Sequence, residues 1–262
     1  MRHSDALDEA TEVLDSGWRV ARLASIGSTN DEARRLALAG DPGRLWIIAR
    51  EQTQGRGRRG RAWTSPPGNL YASALLIDPA PTAIAAQIGF VAGVAVRRAL
   101  GDLGASDDVR LKWPNDLVWR GAKLAGLLVE GVALPDGRLA CIVGIGVNCA
   151  SAPTGLAYPT DCLANALGRT ISPEELFAQL APCFDETLGL WRRGADFAAV
   201  RAQWLDHAAG LGAAIRIAGA QGFRQGVFET LDAQGRLVLR GPNGPETIEA
   251  GDLFLVREGA GH

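Results

Sequence analysis

Gly55–Trp63 reads GRGRRGRAW, with four arginines and three glycines in its first seven positions and an indole at its end. Four guanidiniums this close repel one another, and the glycines leave the backbone free to spread. The segment is therefore expected to be poorly ordered until an anion neutralises it. LWIIAREQ (45–52) precedes it and NLYASALLI (69–77) follows it. Both are apolar runs of strand length, so the arginine segment joins two buried strands. Downstream lie VRLKW (109–113), DLVW (116–119), KLAGLLVEGVAL (123–134) and RLACIVGIGVN (138–148). Turn signals at Pro114-Asn115, Arg120-Gly121 and Pro135-Asp136-Gly137 separate them, which predicts an antiparallel meander.

Ahead of the arginine segment, SIGSTNDEARRLALAG reads as a strand end running into a helix, with Ser28 or Thr29 as N-cap, Asp31 and Glu32 in the first turn and Gly40 as terminator. Capping accounts for Ser28 and Thr29, and so does a helix N-terminus that faces a ligand. A second helix is expected from about residue 82 to 101, and helices again from Asp161 to about Ala209, where SPEELFAQL begins with Ser172 as N-cap and Pro173 at the first position. From 212 to 257 apolar and polar residues alternate between Gly-rich turns, the pattern of a small all-β barrel. The expected organisation is thus α+β, a domain over 1–210 built on a central sheet with helices, then a small barrel domain over 211–262.

Composition narrows the function. The chain has 262 residues, 47% of them hydrophobic, enough for a substantial core. Its 27 Lys+Arg against 29 Asp+Glu give a formal charge of −2, so no global field draws it to nucleic acid or to an anionic membrane. Cys141, Cys149, Cys162 and Cys183 form no CxxC pair and only three histidines are present, which argues against zinc and for reduced thiols in a cytoplasmic protein. The acidic start, MRHSDALDEATEVLDSG, contains no apolar signal segment. The uncharged run Pro79–Val96 is long enough to span a membrane, but its Ala and Gly content, Pro79, Pro81 and Gln87 mark a core helix instead.

Four segments concentrate the chemistry: GRGRRGRAW, KWPNDL (112–117), KLAGLLVE (123–130) and GIGVN (144–148). The Pro-Asn-Asp of the second is a hairpin turn on its own, but a lysine before a tryptophan at the end of a buried strand tends to point into a cleft. Lys123 opens an otherwise apolar strand, with Ala125 and Gly126 leaving room on the sheet beside it. Gly144 and Gly146 sit where side chains would pack better, a mark of close approach by a ligand, a bulge or another element. Together they describe an arginine-rich loop, two lysines, a carboxylate at Asp116 for a metal or an amine, and cleared space for a flat group. Neither a G-x-x-x-x-G-K-[ST] loop nor a GxGxxG turn is present, so the common nucleotide folds are not indicated.

These four motifs, in this order and spacing across roughly residues 25–255, resemble the catalytic domain of biotin protein ligases. The resemblance implies a mixed central sheet related to class II aminoacyl-tRNA synthetases and an SH3-like C-terminal barrel. It implies that biotin and ATP form biotinyl-5′-AMP, with Mg²⁺ on the departing pyrophosphate and Asp116 as its one candidate ligand. Transfer then follows to a lysine of the biotin carboxyl carrier protein of acetyl-CoA carboxylase or a related carboxylase. Carried over by position, Ser28, Thr29, Asn30 and Gln52 would hold the biotin head group, and Gly55, Arg56, Arg58, Lys123 and Gly126 would surround its carboxylate and the phosphate. The nucleotide would fall to Arg56, Arg58, Arg61, Trp63, Lys112, Asn115, Lys123 and Asn148. Lys123, Arg58, Lys112 and Asp116 would carry the chemistry, Asp116 holding the acceptor lysine, capping its turn or binding Mg²⁺.

The 27 residues ahead of Ser28 are too few for the winged helix-turn-helix that many bacterial relatives carry, so a ligase without operator binding is expected. Neither a nucleic-acid nor a membrane partner is expected, and a homodimer is compatible with the sequence. Two rival readings differ in kind. A lipoate or octanoate ligase of the same fold would carry an RR-x-x-GGG segment, which the chain lacks. A nucleic-acid-binding module would use the arginine loop and the barrel on phosphates, against which stand the net charge of −2 and only two tyrosines.

Overall fold

The computed structural model describes residues 11–219 and 222–255. Most of the acidic N-terminal lead, and the end of the second predicted domain from residue 256, lie outside them.

Eight strands form one sheet in the order β1-β2-β3-β4-β8-β7-β6-β5: β1 (Thr11–Val13), β2 (Arg19–Ile26), β3 (Leu45–Gln52), β4 (Leu70–Ile77), β5 (Val109–Lys112), β6 (Asp116–Trp119), β7 (Ala122–Ala133) and β8 (Leu139–Val147). Strands β5 to β8 are the expected antiparallel meander, and β8 continues onto β4. Only β2 and β3 run parallel, because α1 (Thr29–Leu38) carries the chain between them, and this makes the sheet mixed.

The period of two along each strand sorts the residues onto two faces. On one face Trp46 and Ile48 of β3, Leu70, Ala72 and Ala74 of β4, and Val143, Ile145 and Val147 of β8 meet α2 (Ile88–Asp102) and α4 (Pro173–Trp191) in the main core. Trp18, Trp46, Phe177 and Phe184 form its aromatic centre, with Trp46 edge-on to both phenylalanines at 5.4 and 5.1 Å. The apolar Thr82–Asp102 segment is the expected core helix and is mostly buried here, its first six residues (Thr82–Gln87) wound as 3₁₀ helix and the rest as α2. On the other face Ala21, Ile47, Leu75 and Ile142 pack under Ala33 and Ala37 of α1. This helix covers only part of its face, and the part beyond it, lined by Tyr71, Gly126, Gly144 and Gly146, opens onto a cleft.

The helical region contains α3 (Leu163–Leu167), α4 and α5 (Phe197–Asp206). A second, wholly antiparallel sheet follows in the order β12-β11-β10-β9-β13: β9 (Ala214–Gly219), β10 (Gly222–Leu231), β11 (Leu237–Gly241), β12 (Gly244–Ile248) and β13 (Asp252–Leu255). Ile215, Ile217, Phe228, Leu239 and Leu253 fill its interior. This barrel meets the first unit where Trp113 Nε1 donates to the Gly235 carbonyl at 3.2 Å, and again at the arginine segment.

Candidate active site

The cleft lies on the face that α1 half covers, between the first turn of α1, the open sheet and the arginine segment. Its lining includes Ser28, Thr29, Asn30, Gln52, Arg56, Arg58, Arg61, Trp63, Asn115, Asp116, Lys123 and Gly126. The structure therefore brings together most of the residues singled out in the sequence. At one end, Ser28 caps α1 by accepting the Asp31 N–H, while the Thr29 N–H donates to Gln52 Oε1 at 2.9 Å. Ser28 is the expected cap, and it also lines the cleft. Gly144 supplies the seat for Asn30, since a Cβ there would stand 2.5 Å from Asn30 Oδ1.

The arginine segment is a short hairpin, not an open loop. Arg56 and Ala62 bridge, the Gly57 N–H donates to the Arg61 carbonyl at 2.7 Å, and the tip turns through Arg59 and Gly60 at φ 58° and 71°. An outside anion was expected to neutralise it, but the chain's own carboxylates do most of this. Arg56 pairs with Asp31 and with Glu130, the latter at 3.2 Å, and Arg59 and Arg61 share Asp252 of the barrel. The Asp31 hydrogen bond, helped by Glu130, holds the Arg56 guanidinium even more firmly protonated than usual. Burial alone would raise the Asp252 carboxyl, yet the hydrogen bond from Arg61 and the charges of Arg61, Arg59 and Arg58 keep it below the ordinary carboxylate range.

Arg58 differs from the other three. It donates to the neutral Asn115 Oδ1 at 2.9 Å, and no carboxylate among the described residues is ion-paired with it. Burial, then the neighbouring Arg59 and Arg61, push its pKa down from the arginine value, an electrostatic cost that an incoming anion would relieve. Lys123, at the start of β7, has its Nζ 2.7 Å from Asp116 Oδ1 and 5.3 and 5.7 Å from the Trp63 and Tyr158 ring centres. That oxygen is buried and makes an ion pair without a well-directed hydrogen bond.

Lys112, Gly55 and Asn148 are placed otherwise. Lys112 is not among the lining residues but stands directly across from Asp116 on the same face of the sheet, its Nζ 5.8 Å from the Phe254 ring centre, and burial followed by the charge of Lys123 lowers its pKa. Gly55 is required by the hairpin itself, because a Cβ there would lie 2.5 Å from the Trp63 carbonyl oxygen. The Asn148 side chain donates to the Asp161 carbonyl at 3.1 Å and bonds the Lys123 carbonyl at 3.4 Å, bracing the start of β7. The expected cleared space is also occupied: the Trp63 indole lies on the sheet so closely that a Cβ at Gly146 would be 2.7 Å from its Nε1. That buried N–H has no partner among the described residues, so the indole fills the place of a flat group without being fully satisfied there.

Sequence reasoning missed Tyr158, Asp252, Glu130 and Ser73. Tyr158 and Asp252 line the cleft from far along the chain, and Glu130 receives Asn30 Nδ2 at 2.7 Å. The register of β7 carries the only signal among them, since Gly126, Leu128 and Glu130 share the cleft face. A magnesium ion that takes most of its ligands from a triphosphate and water needs only one or two protein carboxylates. Asp116 fits that demand, and no group of three metal-ligating side chains is found among the described residues.

Residues 23–148 match the biotin/lipoate A/B protein ligase family, which defines the class, and residues 210–256 match the biotin protein ligase C-terminal domain. The chain is 41% identical over 243 residues to a biotin–[acetyl-CoA-carboxylase] ligase of Paracoccus denitrificans, over 89% of this chain and 99% of that one. It is 29% identical to a bifunctional ligase/repressor of Bacillus subtilis, over 94% of this chain and 76% of that one. A biotin protein ligase from Aquifex aeolicus, solved in complex with biotin and ATP, superposes with a TM-score of 0.77 at 27% identity, covering 91% of this chain and 99% of that one. The chain belongs to the biotin protein ligase family.

Proposed function

We propose that this protein activates biotin with ATP and transfers it to a lysine of the biotin carboxyl carrier domain of acetyl-CoA carboxylase or a related carboxylase. The observation that carries the reading is the arrangement of one cleft, with Ser28, Thr29, Asn30 and Gln52 at one end and Arg58 and Lys123 over the other. The polar end suits a fused ureido ring, and the cationic end suits the two anions that must react.

In the first step a biotin carboxylate oxygen bonds to the α-phosphorus of ATP and the bond to the β-phosphate oxygen breaks, releasing pyrophosphate. Arg58 and Lys123 offset the repulsion between the reacting anions, and the field of Lys112 adds to theirs from beside Asp116. Mg²⁺, held by Asp116 and the phosphates, would supply charge neutralisation on the pyrophosphate. The arginine hairpin and Trp63 then exclude water from the mixed anhydride, which extends its life.

In the second step the acceptor lysine nitrogen attacks the acyl carbon, an amide forms and AMP leaves with the anhydride oxygen. The amine must lose its proton, and its unperturbed pKa is about 10.4. Asp116 is paired with Lys123 before biotin binds; once Lys123 turns to the acyl phosphate, the carboxylate is released to hold the incoming ammonium and help take its proton.

The test is release of pyrophosphate from ATP in the presence of biotin, with lipoate and octanoate in parallel. Biotin-dependent release with neither fatty acid competing is the expected result. Release driven by lipoate or octanoate instead would replace the proposed substrate.

A further inference from the structure

Behind the polar end of the cleft runs a chain of oxygens that the cleft-lining residues do not complete by themselves. Ser73, in the middle of β4, is wholly buried on the cleft face, in register with Ile47 on one side and Gly144 on the other. Its Oγ lies 2.7 Å from Thr29 Oγ1 and 2.6 Å from Asn30 Oδ1, and Thr29 Oγ1 lies 3.1 Å from Gln52 Oε1. The two ends of this chain are both acceptors. Asn30 Nδ2 donates to Glu130 Oε2 at 2.7 Å, so the other amide atom, the oxygen, faces Ser73. Gln52 Nε2 donates to Ser65 Oγ at 3.1 Å and its Oε1 accepts the Thr29 N–H, which fixes that amide too.

Between two carbonyl oxygens stand two hydroxyls, and each hydroxyl has one proton. Three oxygen–oxygen contacts must share two protons. Both hydroxyl protons are consumed inside the chain and Asn30 Nδ2 is taken by Glu130 and the Leu128 carbonyl, so toward the cleft the Thr29 hydroxyl and the Asn30 and Gln52 side-chain oxygens present lone pairs only. Ser28, whose Oγ accepts the Asp31 N–H, sits outside the chain and keeps its own proton for a ligand carbonyl.

We propose that Ser73 is a positioning residue that sets this proton count, and so makes the head-group end of the cleft select a ring N–H over an isosteric ring oxygen. The inference rests on the biotin reading above. The ureido ring of biotin presents N–H donors to the lone pairs, whereas a cyclic carbamate, with oxygen in place of one N–H, sets lone pair against lone pair. Without the Ser73 hydroxyl the Thr29 proton has a single internal acceptor, Gln52 Oε1, which the Thr29 N–H already serves. With one internal acceptor instead of two, the Thr29 hydroxyl can turn to donate to a ring oxygen or to accept from a ring N–H, and the preference relaxes.

The experiment is biotin-dependent ATP–pyrophosphate exchange by wild type, Ser73→Ala and Ser73→Thr, each with biotin and with the carbamate analogue. Wild type is expected to favour biotin by roughly ten- to a hundredfold in kcat/KM. In Ser73→Ala the preference should fall to about threefold or less while KM for ATP holds, and Ser73→Thr, which keeps a hydroxyl proton, should retain the wild-type ratio. A wild-type preference below about threefold overturns the proposal, whichever variants fold. So does an alanine variant that loses stability or raises both KM values with its preference unchanged, the mark of a purely structural serine. Wild type that exchanges pyrophosphate with neither compound would refute the biotin reading instead.

Discussion

Replacing Arg58 by glycine separates making an acyl-adenylate from keeping it. Three of the four hairpin arginines are already paired with Asp31, Glu130 or Asp252, so Arg58 is the one whose charge is available to a ligand phosphate. During adenylation Lys123 and Lys112 still offset charge, and the Arg58→Gly variant should form biotinyl-AMP at a rate within a few fold of wild type. Retention depends on the hydrogen bond that Arg58 gives the acyl phosphate and on its 2.9 Å bond to Asn115, which ties the hairpin tip to the β5–β6 turn. One charged hydrogen bond of about 1.5–3 kcal/mol corresponds to escape faster by about ten- to a hundredfold. The assay pairs single-turnover adenylate formation with its release from the protein, and adds streptavidin blotting of albumin, whose lysines report free adenylate. Normal formation with release and albumin labelling at wild-type levels would refute the reasoning and move the latch to Arg56 or Arg61.

Three further outcomes follow from the same geometry. Lys123→Ala should lose adenylate formation by a factor of a hundred or more, on the order of 3 kcal/mol in the transition state, with circular dichroism unchanged; pyrophosphate release is the readout. Gly146→Ala puts a methyl group against the Trp63 indole and should raise KM for ATP by about tenfold through overpacking of about 1–3 kcal/mol, with a smaller change in KM for biotin. Asp252→Asn should loosen the hairpin from the barrel and lower Tm. Because the folded Asp252 pKa lies below its unfolded value, the carboxylate's contribution is complete above the ordinary carboxyl pKa and lost as pH falls through the folded one. The Tm difference between wild type and Asp252→Asn should therefore be constant from neutral pH to about 5 and close below about 4.

The meander β5–β8 and the capped α1 were legible because their signals are local: alternation, turn residues, and a serine before two carboxylates. The four motifs were legible as one site because their residue types are costly to bury for packing alone. The state of the arginine hairpin was not legible, because it depends on Asp252, which arrives from the barrel almost two hundred residues later. Gly144 and Gly146 were recognisable as making room, but only the fold tells that Asn30 and Trp63 take that room. Ser73 gave no signal, since one serine in LYASALLI is unremarkable until β4 is registered against Gly144 and under α1.

The central claim, that the cleft joins biotin to a carrier lysine through an adenylate, is tested most directly by intact-mass measurement of a biotin carboxyl carrier domain incubated with the protein, biotin, ATP and Mg²⁺. The account predicts a gain of one biotinyl group on the domain, lost when its acceptor lysine is replaced by arginine and absent with the Lys123→Ala enzyme. A carrier of unchanged mass beside active, biotin-consuming enzyme, or equal modification of the lysine-to-arginine domain, would contradict it.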